Sequence, residues 1–313
     1  MLVRVRVFES EEGAARARAA LPDGGGYQAL GRADISLSEL GAAMADLGDD
    51  YGLAIALLRA CSQGFGARHD EVFEGDLHVE LGSARLVVGD LSVSKRLTIE
   101  GPLLVTGNVH ATTIVDNYSH GYLAVLGNVS ARGVCTDGPF YVGQTLSCRD
   151  LLVIQRSGYF VGANVVRTPC IYMPDPNRPV TGDVTEVARW IGRESGSLAM
   201  QTADLFATGL YSEAGEVDPN QMLAWIDSGR DIFAAPGQPP TPVPLDAIAS
   251  WLRTDRESSQ REKLKTLRDR WVPRLASYDA ADVQRVLEAT FTSKKRRADL
   301  QEILAEIESL REG

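Results

Sequence analysis

Asp116 and Asp137 are the residues whose type and spacing could do chemistry. They stand at nearly equivalent places, nine and ten residues after the anchor point, in two successive copies of a repeat. Enzymes that cleave polysaccharides on stacked β-coils need such carboxylates from neighbouring turns, one as acid and one as base or nucleophile. Two carboxyls one coil apart would also perturb each other's ionisation. Both, however, sit in turn sequences, Asp116-Asn-Tyr-Ser-His-Gly121 and Thr136-Asp-Gly-Pro139. Asp is favoured there for hydrogen bonding to its own backbone, and that structural role is the simpler reading. The first turn also gathers Asp116, Asn117, Tyr118, Ser119 and His120 ahead of Gly121, which suits a recognition corner. Its plain alternative is a corner whose histidine caps a turn.

Other reactive side chains point to less. His78 and His110 occupy the same position of their copies, with Ser92 filling that position between them, so a metal pair is not expected. His69 is isolated. Cys61, Cys135, Cys148 and Cys170 form no CxxC pair and read as reduced core residues. Lys294-Lys-Arg-Arg297 is a basic run at the start of a helix, read as a solvated face. The chain has no GxGxxG, P-loop, HExxH or GxSxG motif, so no cofactor is expected.

The elements that must position these residues follow from the pattern. Segments of the form apolar-x-apolar-x-Gly-(Asp/Asn)-(Leu/Val)-x-(Val/Ala) recur as Phe73–Val79, Val87–Val93, Leu103–Ala111, Leu123–Ala131, Phe140–Cys148 and, more loosely, Tyr159–Val165. Taking residues 75, 89, 107, 127, 144 and 163 as the glycine slot gives spacings of 14, 18, 20, 17 and 19. That period is too short for a helical-repeat solenoid, and the β-branched content with period 2 is that of strands. Shorter apolar pieces between copies, such as Leu97–Ile99 and Thr113–Val115, supply further strands to each coil. A single coil cannot bury its inward side chains, whereas stacked coils share a continuous core. Residues two and four away from the slot on either side are expected to point inward. A β-sandwich is the alternative, disfavoured by the single in-phase motif and the scarcity of two-residue hairpin signals.

Helical periodicity marks the flanks. Residues 9–21 and 37–60 read as amphipathic helices capping the first coil. After residue 175 the pattern is read as helical again, with Val184, Val187, Trp190 and Ile191 on one face, and with Asp218-Pro219 opening a helix. Ala234–Pro244 holds five prolines and reads as a linker. Three or four helices follow, at about 245–253, 258–277, 280–291 and 294–311. The fold class is thus α+β: a parallel β-helix over 72–175, an N-terminal helical cap over 1–71, a helical extension over 176–233, a linker over 234–244 and a helical bundle over 245–313.

A net charge of −10 argues against nucleic acid and anionic membrane surfaces; it suits a basic protein partner, although solubility is the plainer reason for an acidic balance. The charged alternation of Met1–Phe8 is not a signal peptide, and no apolar run reaches membrane-span length, so a cytoplasmic location is expected.

The repeats Leu103–Ala111 and Leu123–Ala131 resemble those of the bactofilins, polymer-forming cytoskeletal proteins of bacteria. The likeness is greater to bactofilin-like β-helix proteins with helical flanks, in which a helical stretch like Tyr211–Asp218, an amphipathic helix and a pair like Gly229-Arg230 follow the solenoid. Some of those resemble immunity proteins of polymorphic toxin systems. The resemblance covers about residues 72–230 and implies a bacterial, non-enzymatic protein-binding protein, an immunity-type inhibitor occluding a toxin. A self-assembling homo-oligomeric scaffold is the alternative, although helical caps at both ends would block bactofilin-type end contacts. A carbohydrate-active β-helix enzyme is the second alternative.

Overall fold

The computed structural model describes residues 6–22, 27–47, 50–116, 121–155, 161–173, 180–185, 187–192, 198–212, 216–235, 243–254, 259–291 and 297–312. The chain forms two compact units, Met1–Ile191 with Leu223–Arg230, and Gly192–Met222 with Asp231–Gly313.

The first unit is built on a parallel β-helix. Its first coil carries β1 (Glu71–Phe73), β2 (Leu77–Val79) and β3 (Arg85–Val87). The second carries β4 (Leu91–Val93), β5 (Arg96–Ile99) and β6 (Pro102–Val105), and the third β7 (Val109–His110), β8 (Thr113–Asp116) and β9 (Tyr122–Val125). Above these, β10 (Val129–Thr136), β11 (Phe140–Ile154) and β12 (Val161–Arg167) run through corners and serve more than one wall, followed by β13 (Cys170–Tyr172), β14 (Val180–Thr185) and β15 (Arg189–Ile191). These strands pair in parallel, coil upon coil.

Three walls result. The first stacks β1, β4, β7 and the start of β10; the second stacks β2, β5, β8 and the end of β10; the third stacks β3, β6, β9 and the start of β11. The inward residues form one aliphatic column, including Leu103, Val105, Val109 and Ala111 around one slot and Leu123, Val125, Val129 and Ala131 around the next. These are the positions the repeat predicts.

The Gly-Asp/Asn signature holds the corners together. Asp70 Oδ1 accepts from the Asp90 backbone N–H at 2.8 Å, Asp90 Oδ1 from Asn108 N–H at 2.7 Å, and Asn108 Oδ1 from Asn128 N–H at 2.9 Å. Each side chain therefore caps a backbone donor one coil above, which the turning chain leaves without a strand partner. The glycine makes room for that rung: a Cβ on Gly107 would lie 2.1 Å from Asp90 Oδ1.

The structure corrects the phase of the repeat at both ends. Leu77 stacks on Leu97 in the second wall, while Leu91 stacks on Glu71, so the first coil's true anchor is His69-Asp70 rather than Gly75-Asp76. At the other end Val165 pairs with Thr145 and Val166 with Leu146 after a bulge, so Val166 enters the core. His78 and His110 consequently lie on different walls, paired with Thr98 and Ser92 respectively. The helix expected over 183–191 is instead β14 and β15, which continue the ladder to Ile191. Val180-Thr-Gly182-Asp183-Val184 is itself a copy of the slot motif, with Gly182 at a φ of 124°. The solenoid boundary thus moves from 175 to 191.

The N-terminal helices α1 (Glu11–Ala20), α2 (Leu37–Ala45) and α3 (Tyr51–Ser62) do not cap the first coil. They lie along the third wall, sharing a core with Leu104, Tyr122, Ala124 and Tyr141. The single helix expected over 37–60 is two, because Asp50 N-caps α3 by accepting from Leu53 N–H at 2.9 Å. Ser36 and Glu39 form a capping box at the start of α2.

The second unit contains α4 (Leu198–Thr202), the first residues of α5 (Pro219–Asp227), α6 (Leu245–Thr254), α7 (Gln260–Thr266), α8 (Val272–Leu275), α9 (Ala280–Thr290) and α10 (Arg297–Glu312), close to the four C-terminal helices expected. A π-helical turn over Leu267–Trp271 joins α7 to α8. Trp271 is central to a core with Leu252, Leu275, Leu287 and Ile303. Tyr211 and Val217 form an antiparallel bridge, so the ends of the expected helical stretch 211–218 are extended. Of the proline-rich segment, residues 236–242 lie outside the described residues, while Val243 is buried and bonded to the Tyr278 hydroxyl.

Candidate functional site

Asp116 and Asp137 lie on neighbouring coils, but they do not stack. Thr136 stacks on Asp116, and Asp137 N–H donates to the Asp116 carbonyl at 2.9 Å. Yet Asp116 is not at the surface. It occupies an inward column in which Val79, Ile99, Asp116, Thr136 and Ile154 lie one above another, and it is 1% exposed. A polar pair has therefore been placed inside an aliphatic stack.

The Thr136 hydroxyl lies 3.0 Å from both Asp116 Oδ2 and the Gly138 carbonyl, and it has one hydrogen to give. A hydrogen given to the Gly138 carbonyl leaves Asp116 Oδ2 without it, so Asp116 is only partly served. Asp116 Oδ1 is buried without a partner, an arrangement far costlier for a carboxylate than for an acid. In accord with this, burial pushes the Asp116 carboxyl up to about 7, Asp137 adds like-charge repulsion, and the bonds from Thr136 and Gly138 partly oppose the rise. The carboxyl faces the core, where a bound sugar would not reach it.

Asn117, Tyr118, Ser119 and His120, the remainder of the expected recognition corner, lie outside the described residues. Asp116 contributes its side chain to the interior rather than to that corner. Lys294–Arg296 also lie outside the described residues. Burial pushes the Cys61 and Cys170 thiols up to about 12, as expected of inert core cysteines. Among the described residues no group of His, Cys, Asp and Glu could hold a metal ion, and no helix is long and apolar enough to cross a membrane.

The outer faces of the walls differ from one another in a way that no motif marks. On the third wall the outward row is Leu86, Leu104, Ala124, Tyr141 and Gly162, covered by the N-terminal helices. Gly162 admits α3: a Cβ there would lie 2.4 Å from Tyr51. On the second wall the C-terminal part of α5 lies over Gly133, where a Cβ would meet Ile226 and Leu223 at 2.7 and 3.0 Å. Asp227 binds the Arg96 guanidinium and the Thr113 hydroxyl, and Arg132 donates to the carbonyls of Ile226 and Arg230.

The first wall differs. Its outward row is Val72, Ser92, His110, Ser130, Ser147 and Arg167, in register from coil to coil. Val72, His110, Ser130 and Arg167 are exposed, and Ser92 and Ser147 are half-buried. The signal was present in the sequence. Segments before the slot are wholly apolar, as in Leu103-Leu-Val105 and Phe140-Tyr-Val142, whereas those after it alternate, as in Val109-His-Ala111 and Val129-Ser-Ala131. Continuous apolar strands are buried on both faces and alternating ones on one.

A cleft lined by Arg6, Glu11, Arg18, Gln28, Arg32 and Asp34 opens among the N-terminal helices, but its charges are mixed and Arg18 is committed to the Gly31 carbonyl.

No protein family, curated protein or solved structure matches this chain.

Proposed function

We propose that this chain is a non-enzymatic protein-binding protein that docks a partner on the open first wall of its β-helix, in the manner of an immunity-type inhibitor that occludes a toxin. The observation that carries the reading is the asymmetry of the walls. The third is covered by the chain's own helices and the second carries α5 over Gly133, while the first presents the polar row Ser92, His110, Ser130 and Ser147. A rigid parallel ladder holds such a row at fixed spacing, so little ordering is needed on binding. The net charge of −10 favours encounter with a basic partner. Burial of the Asp116 carboxyl in the core weighs against the carbohydrate-active alternative.

The test is co-purification with the product of the adjacent gene, using wild type and the double variant Ser92→Arg/Ser130→Arg. The expected outcome is a stoichiometric complex with wild type and its loss in the variant, at unchanged circular dichroism. A complex that survives both arginines would remove the first wall as the docking face. The absence of any complex with wild type would remove the inhibitor reading.

A further inference from the structure

The first coil departs from the one above it at two inward positions. The second coil presents Leu91, Val93, Leu97, Ile99, Leu103 and Val105 to the core. Stacked against these in the first coil are Glu71, Phe73, Leu77, Val79, Arg85 and Val87. Glu71 thus stands where the column has Leu91, and Arg85 where it has Leu103. They come from different walls and meet across the mouth of the solenoid: Arg85 Nη2 donates to Glu71 Oε2 at 2.5 Å, and the guanidinium lies 4.7 Å from the centre of the Phe73 ring. Their side chains are 34% and 23% exposed, while Leu77, Val79 and Val87 of the same coil are buried.

This coil is also an edge. Among the described residues β1 pairs only with β4, β2 only with β5 and β3 only with β6. Three adjacent free strand edges over an aliphatic column are a template for another chain's strands, and Val72 and Leu81, at 70% and 59% exposure, add apolar surface to the rim. Inward-pointing charge is one way natural sheets blunt such an edge.

We propose that the Glu71–Arg85 pair is an end seal that prevents a second copy of this chain from adding its strands to the first coil. A chain stacking there would strip water from both charges and offer the pair no compensating hydrogen bonds. Arg85 Nε, already buried without an acceptor, would be locked into that state. The edge strands are three residues each, and Arg68 bridges Asp70 and Asp90 at the adjoining corner, so the rim is short and charged as well.

The test restores the column pattern with the double variant Glu71→Leu/Arg85→Leu, read by sedimentation velocity against wild type over a concentration series. The expected result is a weight-average mass that rises at least about twofold above wild type, as for dimer or longer stacks. Adding Val72→Lys on the rim should return the mass to the wild-type value. Should the leucine variant fail to fold, Glu71→Gln/Arg85→Met, which removes both charges while keeping the first side chain's shape and much of the second's length, serves in its place with the same expected direction. A folded variant with wild-type mass at every concentration overturns the proposal. So does association that Val72→Lys leaves intact, or wild-type protein that already associates and is dispersed by Val72→Lys alone.

Discussion

The first and third walls of the solenoid are made by the same coils and share one core, yet their exteriors are opposite. Leu104, Ala124 and Tyr141 on the third wall are fully buried under helices, while His110 and Ser130 on the first wall reach solvent. The ladder hydrogen bonds and the inward residues are of the same kind on both. The exterior of a β-helix wall is thus decided independently of its interior, by the alternate residues alone. A solenoid of this design can dedicate one wall to its own helices and keep another for something else.

That contrast can be broken most strongly by placing the same charge on each wall. Leu104→Asp should destabilise the protein by at least about 4 kcal/mol, since an unpaired carboxylate would be buried. Ser130→Asp should change stability by no more than about 0.5 kcal/mol. Urea denaturation of the two variants checks this, and equal losses would erase the distinction between the walls.

The polar pair inside the shared core sharpens the comparison, since it titrates although no wall exposes it. Because the folded-state value of Asp116 is raised, to about 7, the folded chain holds its proton where the unfolded chain has lost it. Its contribution is therefore fully present below the unfolded value of about 4, declines as pH rises, and is lost once pH passes the folded value, for a total of about 4 kcal/mol. Asp116→Asn should remove this slope. Comparing unfolding free energies at about pH 4.5 and about pH 8, wild type should lose several kcal/mol more than the variant, and parallel losses would contradict the raised value of the buried carboxyl.

The corner ladder should respond least. Asn108→Ala removes one rung and should cost about 1 kcal/mol, as expected for exposed hydrogen bonds, visible as a lower urea midpoint at an unchanged slope. A loss as large as that of Leu104→Asp would mean that the corners, not the packing, hold the coils.

The middle coils were legible because a glycine, an Asx and four alternating apolar residues repeat in phase, and each has a physical task in the ladder or the core. The ends were not. Phe73–Val79 matches the motif in composition but belongs to a different wall, and the two charges at inward positions of the first coil hide the true phase of Glu71. Asp183–Ile191 reads as helical because Val184, Val187, Trp190 and Ile191 satisfy a helical period, while Gly182-Asp183 carries the strand signature. Of the candidate site, the meeting of Asp116 with the Thr136-Asp137 turn was legible from coil spacing, but its inward direction was not, since a turn-like sequence placed it at a corner.

By itself, the sequence determined the solenoid, the inward positions of its middle coils and the helical character of the C-terminal region, all of which depend on periodicity and neighbours close along the chain. Only the tertiary structure decided that the N-terminal helices cover a wall rather than an end, that α5 reaches back to Arg96 and Thr113, and that Glu71 meets Arg85 across the mouth. Those contacts join residues whose spacing in the chain carries no period. Coil stacking fixes register between neighbouring turns by local repetition, whereas the choice of which exterior a helix covers depends on apolar area matched across distant segments.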